Sequence, residues 1–341
     1  MDPTYAPVPT AAPLLLTASS LVGGALVLAG CAAAPTRPVP EPAAPRAAPA
    51  PPWPEAQPDA DLQAAVEALA DGFDGVVGVY VRHLPTGREA ALRADETFPT
   101  ASLIKVPILA TLFDQIEGGR WAYDQALRVE DAPPYPHDDV GLVGQLRPDA
   151  TVALHQLVEM MLSASDNTAS FWLQHLVGGG GAVNGWLAAH GFEATRLNSR
   201  TPGREDAYDA YGWGQTTPRE IAALVQAVAE GGAVSPAADL EMHRLLTRTF
   251  YDDGAVGAVP PGVQVASKQG WVSASRAEVL YVHAPSGPYL AAVLTRDQGD
   301  TRDGPDNAGA VLVRAVSGLL WDTFEPGRAW AAPPGSARYR F

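Results

Sequence analysis

Only two of the 23 basic residues in this 341-residue sequence are lysine, and each stands beside groups with which an amine could do chemistry. Lys105 follows Ser102 by three positions in Thr100-Ala101-Ser102-Leu103-Ile104-Lys105, and Lys268 opens Lys268-Gln269-Gly270-Trp271. Every other basic residue is arginine, which keeps its proton at ordinary pH, whereas an amine loses its proton when buried or crowded by charge. Side chains at i and i+3 share a helix face, so the Lys105 amine can reach the Ser102 hydroxyl. The positive end of a helix there would favour a developing alkoxide. A nucleophilic serine needs this arrangement when no histidine is supplied. Between the lysines, Ser165-Asp166-Asn167 offers a hydroxyl to relay a proton and an amide to hold a substrate carbonyl. The same three residue types favour a helix N-cap, so the tripeptide alone leaves both readings open. Gly270 would let a substrate approach a strand edge, with Lys268 raising the positive potential beside an anionic substrate.

The elements that must position these groups are legible from periodicity. Apolar residues at helical spacing predict a helix over 60–71. VVGVYVRH (76–83), a turn at Pro85-Thr86-Gly87 and REAALRA (88–94) read as a hairpin. The middle is helix-rich, with helices predicted over 102–117, 151–163, 167–177, 218–230 and 236–248. Thr217-Pro218 supplies a capping hydroxyl and a proline at the first helical position. Strands return over 263–269, 277–284 and 289–296 before a last helix at 306–324. Strands at both ends and helices between them predict an α+β body, one antiparallel sheet built from both chain ends with an inserted helical lobe.

That body is expected over 61–330, followed by a tail, 331–341. Residues 32–60 are dominated by proline and alanine and read as an extended tether. Before it, the apolar run 11–30 ends at Leu28-Ala29-Gly30-Cys31, which resembles the lipobox of bacterial lipoproteins. Residues 1–31 are therefore expected to be a signal peptide, with Cys31 as the lipidated residue. The body is then expected outside the cytoplasm, anchored by lipid to a bacterial membrane. The positive charge usual before such a run is absent, and Asp2 stands there.

The formal net charge of -15 argues against nucleic acid as a partner. Seven scattered histidines give no metal-ligand spacing, so neither a metal nor another cofactor is expected. The single cysteine excludes an intramolecular disulfide.

Ser165 lies 63 residues after Ser102, and Lys268 lies 103 after Ser165. The order SxxK, SDN, KxG at these gaps resembles class A β-lactamases and related penicillin-binding proteins across about 61–325. The resemblance implies an α/β/α sandwich of the β-lactamase/transpeptidase type and, for a chain of this kind, a monomer. It implies that Ser102 is acylated, Lys105 activates it, and Ser165 passes a proton to the leaving group beside Lys268. Asn167, Gln269, Gly270 and Arg276 would bind substrate, and the backbone N–H groups of Ser102 and Trp271 would form the oxyanion hole. Asp166 would be structural.

Two positions depart from the family pattern. Gln269 replaces a hydroxyl in KQG. Four residues before Asn198, where a deacylating Glu is expected, stands Ala194, with Glu193 one position off. Glu193 and Asn198 are thus the candidates for deacylation, followed by an acidic, aromatic insert, REDAYDAYGWG. The implied substrate is a β-lactam or a peptidoglycan peptide. The activities to separate are β-lactam hydrolysis, D,D-peptidase or esterase activity, and penicillin binding with slow release.

Overall fold

The structure, a computed structural model, describes residues 53–133 and 141–333. The signal segment with Cys31, most of the tether and the end of the tail lie outside the described residues. Among the described residues the chain runs β1 (Gln57–Pro58), α1 (Ala60–Ala70), β2 (Val76–His83), β3 (Arg88–Leu92) and β4 (Phe98–Pro99). A 3-10 turn, Ala101–Ile104, then leads into α2 (Lys105–Glu117). The lobe follows with β5 (Ala126–Arg128), β6 (Thr151–Ala153), α3 (Leu154–Ser163), α4 (Asn167–Leu176) and α5 (Gly179–Ala189). Next come β7 (Arg196–Leu197), α6 (Glu205–Tyr211), β8 (Gly214–Thr216), α7 (Pro218–Ala229) and α8 (Pro236–Leu246). The chain closes with β9 (Val265–Val272), β10 (Ser275–Val282), β11 (Tyr289–Arg296) and α9 (Ala308–Phe324).

The main sheet has the order β1-β3-β2-β11-β10-β9, so the two chain ends meet where β2 pairs antiparallel with β11. All eight residues of β10 are buried, because helices cover both faces and the alternation of a half-exposed strand is lost. Leu62 and Val66 of α1 join Leu320 and Trp321 of α9 on one face. Ile221 and Val225 of α7 and Met242 of α8 join the lobe helices on the other. This is the expected α/β/α sandwich, with β9 left at the sheet edge.

Three expectations change. The sheet is mixed, because β1 pairs parallel with β3, Gln57 opposite Arg88. The body therefore starts before residue 61. The Gln57 N–H donates to Gly87 O at 2.7 Å, and Trp53 Nε1 donates to Glu230 at 2.6 Å. The expected helix 151–163 surrenders its first three residues to β6, which pairs with β5. α5 was not foreseen because Gly179, Gly180, Gly181 and Gly185 lower its propensity. Burial of Val183, Trp186 and Leu187 overrides that, and a Cβ at position 180 would lie only 1.7 Å from Thr201 Oγ1.

Caps fix the helix that carries Asn167. Asp166 caps α4 by accepting from the Ala169 N–H at 2.7 Å, and its second oxygen accepts from the Val143 N–H at 3.0 Å. The carboxylate therefore has the structural role the resemblance implied. Asp166→Ala would orphan both donors and should cost about 2 kcal/mol of stability, read from urea unfolding midpoints. A loss below about 0.5 kcal/mol would contradict this account of the cap.

Candidate active site

Ser102, Ser165, Asn167, Tyr251, Gln269 and Trp271 line one cavity of about 170 Å³. Ser102 enters it from the 3-10 turn before α2, where Ala101 has a positive φ of 42°. Ser165 enters from the loop between α3 and α4, with φ 55°. Such angles in non-glycine residues are costly and persist where neighbours fix them, often at functional sites. At Ser165 the fixing contact is its carbonyl, which accepts from Lys105 Nζ at 2.6 Å.

Both lysines are buried, and water's loss from around each amine is the largest influence on it. Burial, reinforced by the positive charge of Lys268, pushes Lys105 well below the ordinary lysine value. The carboxylate of Asp166 opposes this only in part. Burial brings Lys268 down to about 7, against the opposing pull of Glu278.

A neutral amine has two N–H groups and one lone pair. Lys105 Nζ lies 2.6 Å from Ser165 O and 2.9 Å from Asn167 Oδ1, two acceptors that use both of its hydrogens. Its third contact is Ser165 Oγ at 3.0 Å, and once burial and Lys268 have driven the proton off Lys105, the lone pair there can accept the serine's hydrogen. Lys268 Nζ has three acceptors, Ser165 Oγ at 3.1 Å, Gln269 O at 2.8 Å and Gln269 Oε1 at 3.3 Å, which match the three N–H groups of an ammonium. Three oxygens surround each amine, so the asymmetry comes from charge. Lys268 pushes Lys105 down beyond the effect of burial, while Glu278 holds Lys268 up. This leaves a neutral Lys105 and a charged Lys268 on either side of one hydroxyl.

Ser102 differs from the expectation in one respect. Its hydroxyl shares the cavity, but the Lys105 amine is held on Ser165 and Asn167. Two carbonyl acceptors outcompete one hydroxyl for its hydrogens.

The edge strand β9 closes the site. A Cβ on Gly270 would lie 2.4 Å from Thr100 O and 2.9 Å from Ser102 N, so only glycine allows the strand to touch the Ser102 backbone. Gln269 O accepts from Lys268 at the open edge. Outward-facing groups recur at every second residue of an antiparallel strand, which turns the Trp271 N–H to the same side. Ser102 and Trp271 can then present two backbone donors to one oxyanion.

Three candidates lie elsewhere. Arg276 pairs with Trp271 across β9–β10 but packs against α9, its Cγ close to Gly309. Its guanidinium donates to Val272 O at 2.5 Å, Ser275 O at 3.0 Å and Arg302 O at 2.7 Å, in a neighbouring cavity. Glu193 is exposed, because the Glu220 carboxylate binds the backbone N–H groups of Glu193, Ala194 and Thr195 at 2.7–2.9 Å and fixes the loop outward. Asn198 is buried and anchors the insert, accepting from Arg204 at 2.7 Å and donating to Ala207 O at 3.2 Å. It lines a separate cavity of about 630 Å³.

Two aromatic residues that motif reading missed belong to the site. The ring of Trp213 lies 5.9 Å from Lys105 Nζ, and Tyr251 stands edge-on to Trp271 at 5.3 Å. Trp213 sits inside the insert, whose composition was the only signal; nothing near Tyr251 marks it. Among the described residues no group of three or more His, Cys, Asp or Glu side chains could hold a metal ion.

A sequence model described as the β-lactamase enzyme family matches residues 61–324. A β-lactamase of Mycobacterium tuberculosis is 27% identical over 275 residues, covering 76% of this chain and 86% of the relative. The β-lactamase FAR-1 of Nocardia farcinica is 27% identical over 253 residues, 71% of this chain and 77% of the relative. Among solved structures, that of PBP-A superposes with a TM-score of 0.70 at 26% identity, over 80% of this chain and 99% of the other.

Two outcomes follow from the geometry. Gly270→Ala should slow acylation of Ser102 by an activated ester at least tenfold, the loss expected on displacing one oxyanion donor; an unchanged rate would refute the strand-contact account. Lys268 is charged below about pH 7 and neutral above it. The second-order acylation rate should therefore fall as pH rises through about 7. That alkaline limb should vanish in Lys268→Arg, whose residual rate stays flat, and a limb that persists there belongs to another group.

Proposed function

Because the chain belongs to the β-lactamase enzyme family, a family of serine hydrolases, we propose that it opens the β-lactam amide through an acyl-enzyme on Ser102. The observation that carries this is the hydrogen-bonded series Lys105–Ser165–Lys268, whose Ser165 shares one cavity with Ser102. Ser102 Oγ attacks the carbonyl carbon as the neutral Lys105 turns its lone pair from Ser165 to Ser102 and takes the proton, and the negative charge moves to the carbonyl oxygen beside the Ser102 and Trp271 N–H groups. As the intermediate collapses, the C–N bond breaks, Ser165 gives its proton to the leaving nitrogen, and Lys105 restores it. Water then cleaves the ester to release the acid and regenerate Ser102.

The second half-reaction supports a refinement. The contacts of the Lys105 amine are all to oxygens of uncharged groups, and Glu193 is turned to solvent. With no carboxylate among those contacts to activate water, deacylation is the slow step, and the acyl-enzyme accumulates as in a penicillin-binding protein. The apolar run ending at Cys31 supports a further reading, a lipoprotein held outside the cytoplasm.

Rapid mixing with the chromogenic cephalosporin nitrocefin, followed by intact-mass analysis, tests both halves. The account expects a burst of about one equivalent, an adduct on Ser102, and a slower steady phase. Ser102→Ala should show none of these, and Glu193→Gln should leave the steady phase within about twofold. Neither adduct nor turnover in the wild type would overturn the proposed activity. A large loss in Glu193→Gln would overturn the exclusion of that residue from deacylation.

A further inference from the structure

Large apolar side chains crowd the mouth of the Ser102 cavity. Trp271 is 43% exposed and Phe250 53%, with Tyr251 half-buried between them. Phe250, Tyr251 and Trp271 meet edge to face, at 5.4 Å and 5.3 Å between successive ring centres. Exposed apolar surface on this scale, beside a reactive serine, marks a place where a ligand excludes water.

The wall has a definite side. The Phe250 N–H donates to Ser163 O at 2.9 Å, which pins this loop two residues from Ser165. Thr249 Oγ1 lies 3.4 Å from Gln269 Oε1, and Gln269 shares the Lys268 amine with Ser165. The aromatic surface thus flanks the hydroxyl that protonates the departing nitrogen. It faces the leaving-group half of the substrate.

What lies on that side besides the aromatics is a lysine already engaged and the Gln269 amide, whose buried Nε2 has no hydrogen-bond partner among the described residues. Gln269 spends its carbonyl on Lys268 and Thr249, and the Arg276 guanidinium is spent on three backbone carbonyls behind Trp271. A carboxylate there would meet the neutral Gln269 amide rather than the Arg276 guanidinium.

We propose that Tyr251 and Trp271 are specificity-determining residues that read the leaving-group half of the substrate by aromatic packing, without an arginine–carboxylate pair. The preferred substrates carry a flat, apolar substituent on the ring that holds the departing nitrogen. This rests on the acyl-enzyme reading above.

The test compares kcat/KM for nitrocefin, with an aryl group on that ring, and for cephalothin, with a small acetoxymethyl group. The nitrocefin preference should fall about fivefold or more in Tyr251→Ala and in Trp271→Ala, the scale of a lost aromatic contact. Taking the ratio within each variant cancels any general loss of folded enzyme or of oxyanion geometry. A parallel ratio, benzylpenicillin over its methyl ester, should change less than about threefold in Arg276→Ala. An unchanged nitrocefin preference in both aromatic variants would overturn the proposal, as would a tenfold change in the ester ratio. In either event Ser102 adducts would still form, and the acyl-enzyme reading would stand. If neither cephalosporin acylates the wild type, that reading falls and this one with it.

Discussion

The site depends on the removal of water from two amines that share one hydroxyl. An exposed lysine is a cation near neutral pH and cannot take a proton from serine. Here burial makes the cation costly at both amines, and the Lys268 charge further disfavours one on Lys105, so Lys105 releases its proton and Lys268 keeps it. Neutral Lys105 then accepts where charged Lys268 donates, and Ser165 becomes directional between them. A carboxylate ion-paired to Lys105 would stabilise the ammonium and remove its basicity. The nearest acidic influence, Asp166, is occupied by two backbone N–H groups at the start of α4.

The fold supplies that burial from two directions. Lys105 comes from the helical lobe and Lys268 from the edge of the sheet, and neither layer alone could enclose both. Their meeting requires β9 to touch the Ser102 turn, which is why position 270 has no room for a side chain. On the lobe side, Trp213 of the insert covers Lys105. The insert therefore helps to dry the site, although its sequence suggested only an unusual loop.

The grouping of Ser102, Lys105, Ser165 and Lys268 was legible because its signals are local: a three-residue spacing, a cap-like tripeptide, and a lysine before a glycine. The sheet and most helices were legible from period and capping. Arg276 was not, because its face depends on strand parity. The two-residue turn Ser273–Ala274 sets Arg276 opposite Trp271 and turns its side chain toward α9, and a one-residue shift would have reversed it. The outward turn of Glu193 was not legible for a related reason. Its loop is shaped by Glu220, a residue 27 positions away that no spacing rule connects to it. β1 and α5 were invisible because packing created them against weak or contrary local preference.

Two lysines in the whole chain make the central claim directly measurable. Lysine labelled at the ε-carbon and ε-nitrogen would give one NMR signal each for Lys105 and Lys268, assigned by Lys268→Arg, and both can be titrated. The account predicts one amine titrating near pH 7 and the other already neutral there, both below the ordinary 10.5. Two amines titrating together near 10.5 would contradict it.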